Sequence, residues 1–188
     1  MRYCKWLICG AVVLALAAGG VRIASINKVF PSPENKVYRE GETFHYKGLE
    51  AKAGEVEIYN REEIKAAYPD IDMEDEVMEN GQTEEVTYIV ANVEISNKTE
   101  NTISMGKTGV AQWILEAGLY ANGADYTSFL SLNPSYSRTF YAGDTKTIKI
   151  VFTIRNEYMT KRELEETPLK VVYSYYPSKN YIYYEGKS

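Results

Sequence analysis

Residues 84–97, EEVTYIVANVEISN, carry the pattern that decides the fold. Apolar side chains recur at every second position, and this period of two is typical of a strand with one buried face. Residues 143–156, GDTKTIKIVFTIRN, repeat the pattern. The two predicted inward-facing sets are Ile89, Ala91, Val93 and Ile95 in the first segment, and Ile148, Ile150, Phe152 and Ile154 in the second.

Further strand patterns lie on both sides of these segments. Residues 49–58 alternate with a bulge or bend at Gly54, and residues 111–125, AQWILEAGLYANGAD, predict a strand that runs into an Asn122-Gly123 hairpin turn. Late strands are predicted at Leu169, Val171, Tyr173, Tyr175 and at Tyr181, Tyr183. About seven short strands with one-sided apolar faces indicate an all-β, antiparallel immunoglobulin-like β-sandwich, with a small open barrel as the competing architecture.

One short helix interrupts the strand patterns, at residues 60–70, NREEIKAAYPD. Asn60 is a favoured N-cap residue, and Glu63 stands three positions later, where a capping box needs it. Pro69 follows the predicted end of the helix.

The N-terminus predicts a membrane segment. Arg2 and Lys5 precede the uncharged, apolar residues 6–21, so the N-terminus is expected to stay in the cytoplasm and the rest to be carried across the membrane. We expect residues 1–27 to be a retained single-pass helix, with a signal peptide cleaved near Ala15-Leu16-Ala17 as the alternative. Residues 28–40, with Pro31 and Pro33, predict a stiff linker. Residues 41–188 are then the extracytoplasmic domain.

Cysteine content and charge narrow the functional classes. Cys4 and Cys9 are the only cysteines, so the predicted extracytoplasmic domain has no disulfide framework. From Val29 onward there are 17 basic and 26 acidic residues, a net charge of −9. Because such a surface repels phosphate backbones, nucleic acid is not expected as a partner.

Several short motifs at turns and strand starts together carry a resemblance to a known group of proteins. They are Phe30-Pro31, Pro33, Tyr38, Gly41-Glu42, Tyr68-Pro69-Asp70, Ser96-Asn97 and Ala142-Gly143-Asp144 before Ile148. Together with the basic-flanked anchor, this layout resembles a group of uncharacterised, membrane-anchored extracytoplasmic proteins of Gram-positive bacteria with a telokin-like, immunoglobulin-type sandwich. The resemblance spans nearly the whole chain. It implies a fold and a location, and it carries over no catalytic residue.

The residues offer little for catalysis. His45 is the only histidine, and it alternates with Phe44 and Tyr46 in a way that predicts a surface strand residue. Any Ser-His-Asp or Cys-His arrangement would have to use this surface histidine, and the predicted exported part has no cysteine. One histidine also cannot supply the usual ligand set of a zinc site. Gly106-Lys107-Thr108 imitates a phosphate-binding loop but has Asn101 where the motif requires glycine. We therefore predict no catalytic, metal or cofactor-binding residue, and no enzyme.

Two acidic stretches are candidates for calcium binding and for hydrolysis. Asp70, Asp72 and Glu74 have the alternate spacing of calcium ligands, but an EF-hand would need glycine at Asp75 and glutamate at Gly81. A solvated loop is expected there, with a looser calcium site as the alternative. The later cluster Glu163, Glu165 and Glu166 is typical of the exposed face of a short helix or turn.

Tyrosine is the unusual signal in the composition. The chain has 17 tyrosines, six of them within residues 173–184. Tyrosine combines a flat apolar ring with a polar tip, which suits contacts with sugars, peptides or proteins. The alternative is that these rings simply fill and edge the sandwich. Tyr176 and Tyr184 point opposite to their neighbours on ideal strands, so they are the predicted exposed, partner-binding pair.

These observations favour a non-enzymatic binding or interaction module that is tethered at the cell surface. Its partner would be an unidentified protein or envelope glycan. The alternatives are an accessory structural subunit that docks onto another membrane protein, and an envelope hydrolase that uses carboxylates alone.

Overall fold

A computed structural model describes residues 34–73, 85–106 and 109–187, together with residues 16, 17, 19–22, 25, 28 and 29. Contacts divide the chain into two units, Met1–Glu34 and Asn35–Ser188. In the first unit, the described residues before Glu34 are helical and exposed. Within the described residues, no helix combines the length and apolar character that a membrane crossing requires. Most of the predicted anchor, 1–27, lies outside the described residues.

The second unit is a β-sandwich. The strands of the described residues are β1 Lys36–Arg39, β2 Thr43–Tyr46, β3 Leu49–Tyr59, β4 Val86–Ser96, β5 Ile103–Ser104, β6 Ile114–Ala117, β7 Tyr120–Gly123, β8 Thr139–Phe140, β9 Thr145–Arg155, β10 Leu169–Ser174 and β11 Asn180–Tyr184. The four-stranded sheet is antiparallel throughout, in the order β2-β3-β4-β9. The five-stranded sheet has the order β1-β11-β10-β6-β7, and β5 pairs with β8 in a small separate ladder.

Three short α-helices and one 3-10 helix connect these strands in the described part of the chain: α1 Arg61–Ala67, α2 Tyr126–Leu132, α3 Lys161–Glu166 and the 3-10 helix Gly109–Gln112. The predicted helix after Asn60 is confirmed, and its capping box with Glu63 is formed. The expectation of only one short helix is wrong, because α2 and α3 also form. Each of these two also begins at a side-chain cap, Asp125 and Thr160 respectively.

The core lies between the two sheets and confirms the predicted inward faces. The alternating apolar residues of β4 and β9 are at most 6% exposed and pack against Trp113, Phe129 and Phe140. The bulge at Gly54 is also confirmed, since the register of β3 against β4 shifts between Ala53 and Val56. A side chain at Gly54 would place its Cβ 2.7 Å from the carbonyl oxygen of Asn92, so only glycine fits this close approach.

The first strand corrects the predicted linker. Residues 36–39 lie within the segment 28–40 that was expected to be a stalk, yet they pair in parallel with β11. Gly41, with a φ of 82°, turns the chain toward β2, and Tyr38 packs 5.2 Å from Phe44, measured between ring centroids. The five-stranded sheet is therefore mixed rather than wholly antiparallel. Four residues are too short for a period of two to reveal such a strand.

The hairpin prediction places the turn at the wrong glycine. Ala117 of β6 pairs with Tyr120 of β7, so the turn is Gly118-Leu119, and Gly118 supplies the positive φ of 57°. Asn122 instead lies within β7, where its side-chain amide donates to the Thr153 carbonyl oxygen at 2.8 Å. Both glycines satisfy turn chemistry locally, and the pairing of β6 with β7 selects between them.

Candidate functional site

An open groove lies beside the turn between β10 and β11. Its volume is about 540 Å³, and it is lined by residues 45–47 of β2 and the following turn, by Gln112, by residues 172–176 and by Asn180. We call it the tyrosine groove, because Tyr46, Tyr173, Tyr175 and Tyr176 all contribute to it. It therefore collects part of the tyrosine-rich segment that the sequence singles out.

The inner wall of the groove is an aromatic cluster shared with the core. Tyr173 stacks on Phe44 at 4.7 Å, and its ring centroid lies 5.6 Å from that of Trp113. Tyr46 is buried, and its hydroxyl donates to the carbonyl oxygen of Gly109 at 2.7 Å. Burial raises the pKa of both tyrosines, so each hydroxyl keeps its proton at neutral pH. This wall is rigid and uncharged.

Tyr176 is the most exposed aromatic side chain of the groove. It is 89% exposed, in agreement with the prediction that it faces solvent. The Ser174 hydroxyl donates to the Tyr176 carbonyl oxygen at 3.0 Å, and this bond holds the backbone of the turn that carries the ring. The ring itself is thus free to meet a partner on an ordered turn.

Tyr175 is held in place by the ion pair of Glu116 and Lys179. It is 50% exposed, and its hydroxyl donates to Glu116 Oε1 at 2.8 Å. Lys179 Nζ donates to both Glu116 oxygens, at 2.8 and 2.6 Å, and lies 5.7 Å from the centroid of the Tyr175 ring. The ring is therefore held at its hydroxyl and faced by an ammonium group, which fixes its orientation.

The pKa values of this trio follow from these contacts. Burial alone would raise the pKa of the Glu116 carboxyl, but the hydrogen bonds from Lys179 and Tyr175 outweigh burial and lower it. Burial, together with the bond to the Glu116 carboxylate, raises the pKa of Tyr175 to about 12. At neutral pH the trio is a neutral tyrosine and an ion pair without net charge.

His45 lies on the rim of the groove. It is exposed on β2 between buried Phe44 and Tyr46, as predicted for a surface strand residue. Its ring makes no hydrogen bond to another described residue, and neither does the side chain of Gln112 across the groove. The neighbouring Lys47 donates from Nζ to the Met105 carbonyl oxygen at 2.8 Å. The rim therefore carries two polar side chains, His45 and Gln112, that form no hydrogen bond to the described residues.

Tyr184 does not belong to this surface, and its predicted exposure is wrong. It is only 4% exposed and points into the core from β11, as does Ile182, while Tyr181 and Tyr183 face outward. Every residue from Tyr181 to Tyr184 is aromatic or aliphatic, so alternation could not reveal which pair faces inward. The Tyr184 hydroxyl is buried without a hydrogen-bond partner among the described residues, and burial raises its pKa.

A second cavity, of about 580 Å³, gathers the carboxylates Glu40, Glu57, Glu165 and Glu185, as the hydrolase hypothesis would require. Three of these four carboxylates are engaged within the domain, however. Glu185 is ion-paired with Arg39 at 2.6 Å, and Glu165 with Lys187 at 3.5 Å. Glu57 accepts hydrogen bonds from Tyr59 and Tyr68. We call this cavity the carboxylate cleft.

The remaining candidate motifs add no site. Glu163 caps α3 and Glu166 is bonded to Arg162, so the late acidic cluster is the surface of a short helix, as expected. Lys107 and Thr108 lie outside the described residues, as do residues 74–84 of the acidic loop. In the ranges that the structure describes, no group of three or more metal-ligating side chains comes together.

Sequence reasoning missed Gln112 in the lining of the groove, and it missed Glu116 and Lys179, which hold Tyr175 from outside the lining. Glu116 and Lys179 lie 63 positions apart and meet only because β6, β10 and β11 are neighbours in one sheet. No local pattern marks such a pair. The clustering of tyrosines after residue 172 was the one usable signal.

Distant similarity to solved structures is found. A protein of Clostridium difficile 630, described as an uncharacterized beta-sandwich protein, superposes with a TM-score of 0.48 at 12% identity, covering 81% of this chain and 95% of that chain. A functionally unknown protein of Listeria monocytogenes EGD-e gives 0.48 at 16%, covering 78% and 82%. A conserved hypothetical protein of Bacillus anthracis gives 0.45 at 17%, covering 72% and 88%.

No protein-family model matches the chain. No curated protein matches it either. The three similar structures are described without an assigned function.

Proposed function

We propose that this protein is a non-enzymatic binding module, tethered to the membrane by its N-terminal segment, with an extracytoplasmic sandwich of the telokin-like, immunoglobulin type. The tyrosine groove presents Tyr176 and Tyr175 to a partner, which is a protein or an envelope glycan. No cofactor takes part in this function.

The observation that carries this proposal is the exposure of two adjacent tyrosines beside an open groove. Tyr176 is 89% exposed and Tyr175 is 50% exposed, yet the ring of Tyr175 is held by Glu116. Single exposed apolar side chains are ordinary, but aromatic residues that are both accessible and held in place are typical of interface hot spots. Holding a ring before binding reduces the entropy that is lost when the partner docks.

The proposed location is supported by the sequence of the N-terminus. Arg2 and Lys5 precede the apolar residues 6–21, which favours a cytoplasmic N-terminus and translocation of the remainder. Protease added to whole cells should trim the C-terminal domain without lysis. If the domain resists digestion in whole cells and becomes digestible only after lysis, the proposed location is wrong.

Site-specific photocrosslinking tests the surface. The photoreactive residue p-benzoylphenylalanine replaces Tyr176 in one variant of the full chain and Tyr141 in a second. Tyr141 is 65% exposed but does not line the groove, so it is a matched control. Irradiation of intact cells should give a discrete adduct from position 176 and none from position 141. Adducts at both positions or at neither would contradict the proposal.

Exchange of the N-terminal segment for an unrelated anchor separates the binding module from the accessory-subunit alternative. A binding module keeps its adduct at position 176, because recognition resides in the sandwich. A subunit that docks through its membrane segment loses it.

A further inference from the structure

We infer that the tyrosine groove takes an uncharged oligosaccharide, whose pyranose rings pack on Tyr175 and Tyr176 while its hydroxyls bond to the rim. This inference rests on the proposed binding function and names the ligand class of the same groove. Three features of the groove support it: the exposed aromatic rings, the polar side chains that form no hydrogen bond to the described residues, and the charges around them.

The rings supply flat apolar surface of limited extent. Tyr175 and Tyr176 are exposed, whereas Val172, the one aliphatic residue of the lining, is only 1% exposed. A protein partner would favour a continuous apolar interface core. Sugar rings need less, because the C–H groups on one face of a pyranose can pack against one aromatic ring. The groove offers such isolated platforms.

The polar groups of the groove are suited to hydroxyls. The side chains of His45 and Gln112 make no hydrogen bond to any other residue that the structure describes. The Asn180 side-chain oxygen accepts from Lys36 N at 3.3 Å and from the Ser178 hydroxyl at 3.0 Å, while its amide nitrogen donates to no described residue. An imidazole and an amide can each donate and accept, as a sugar hydroxyl does.

The charges favour an uncharged ligand. Among the described residues, the lining contains no carboxylate, whereas the carboxylate cleft has four and a third cavity, of about 430 Å³, contains Asp125. Glu116, which holds Tyr175 from outside the lining, is neutralised by Lys179. Lys47 is the only permanent charge among the described residues of the lining, and its ammonium group donates to a backbone carbonyl. A strongly charged polymer has no matching cluster here.

Binding is measured by isothermal titration calorimetry on the full chain in detergent micelles. The probes are the hexasaccharides of β-1,4-linked N-acetylglucosamine and of β-1,4-linked glucose. At least one should bind, and Tyr176→Ala should weaken that binding by about tenfold. Tyr176→Phe, which keeps the ring, should stay within about twofold of the original affinity, and so should the control Tyr141→Ala.

The outcomes separate this inference from the proposed function. If neither hexasaccharide binds and the photo-adduct at position 176 is a protein, the ligand class is wrong while the binding function stands. Sugar binding that Tyr176→Ala leaves unchanged also overturns the inference. If no sugar binds and position 176 gives no adduct, both the inference and the proposed function fail.

Discussion

Two buried tyrosine hydroxyls in this core differ in their hydrogen bonding. Tyr46 donates to the Gly109 carbonyl oxygen at 2.7 Å, whereas the Tyr184 hydroxyl has no partner in the described part of the chain. A buried polar group without a hydrogen bond costs free energy, and a satisfied one recovers that cost. Loss of the hydroxyl should therefore lower the free energy of unfolding at Tyr46 but not at Tyr184.

The first prediction compares the two phenylalanine variants. Tyr46→Phe should lower the free energy of unfolding by about 1–2 kcal/mol, because the Gly109 carbonyl loses its donor. Tyr184→Phe should leave it unchanged or raise it by up to about 1 kcal/mol, because no bond is lost. Urea unfolding followed by circular dichroism measures both. Equal losses in the two variants would show that Tyr184 has a partner.

Glu116 links stability to pH. Its ordinary pKa is 4.5, and the folded state lowers that value through the bonds from Lys179 and Tyr175 despite the opposing effect of burial. The stabilisation is therefore fully present above the ordinary pKa. It is lost as the pH falls below 4.5 through the folded-state pKa.

The second prediction uses Glu116→Gln to expose this dependence. Near pH 7 the variant should be less stable than the original chain by about 1–2 kcal/mol, and the difference should shrink as the pH falls below 4.5 and Glu116 becomes protonated. Glu166→Gln is the control, because Glu166 pairs only with exposed Arg162 and should change stability by less than about 0.5 kcal/mol. A Glu116→Gln difference that is constant with pH would contradict the assignment.

At the scale of elements, the short helices depend on their first turns. The Asn60 and Glu63 capping box begins α1, and Thr160 and Glu163 form the equivalent box on α3. Glu63 also pairs with Lys161 at the start of α3, so the two helix starts are connected. Ile64 and Leu164 are the buried residues that attach the helices to the sandwich. Caps and one buried side chain are enough for helices of two turns.

The outer edge of β9 is protected by α2 and its cap rather than by another long strand. Asn133, which ends α2, donates to the Lys149 carbonyl oxygen at 2.7 Å and accepts from the Lys149 amide at 3.0 Å. The amide of Asp125, the N-cap of α2, donates to the Val151 carbonyl oxygen at 2.8 Å. The side chain of Asn133 thus takes the place of a neighbouring strand at the edge.

The third prediction tests this edge. Asn133→Ala should lower the free energy of unfolding by about 1–3 kcal/mol, because it removes both bonds to Lys149. Exchange of the Lys149 amide with deuterium should accelerate in the same variant. Ser131→Ala, on the same helix, should cost less than about 0.5 kcal/mol. If the two variants prove equally stable, the edge does not depend on Asn133.

At the scale of the whole molecule, β1 joins the two sheets of the sandwich. It pairs in parallel with β11 of the five-stranded sheet and then turns into β2 of the other sheet. Tyr38 packs between them, against Phe44 at 5.2 Å and Tyr173 at 6.3 Å. The structural unit therefore starts near Asn35 rather than at residue 41.

The fourth prediction compares two fragments of the chain. A fragment of residues 41–188 should unfold with a free energy about 2–4 kcal/mol below that of residues 35–188, because it lacks the β1 pairing and the packing of Tyr38. Thermal unfolding and urea titration measure the difference. Indistinguishable stabilities would mean that residues 36–39 behave as the stalk that the prolines predict.

Sequence alone was sufficient where the governing forces are local. Alternation in residues 86–96 and 145–155 identified the buried faces of β4 and β9, and Asn60 with Glu63 identified the start of α1. Alternation also predicted the exposure of Tyr176, which points opposite to its neighbours on an ideal strand. These features depend on period, capping and turn chemistry, which neighbouring residues decide among themselves.

Only the tertiary structure decided how the strands meet. It selected Gly118 over Gly123 as the turn, directed Tyr184 inward, recruited residues 36–39 as a parallel strand and brought Glu116 to Lys179 to hold Tyr175. In these cases the local sequence did not determine the arrangement. Pairing and packing between segments far apart in sequence separated them, because a strand is complete only when its neighbour satisfies its hydrogen bonds and covers its apolar face.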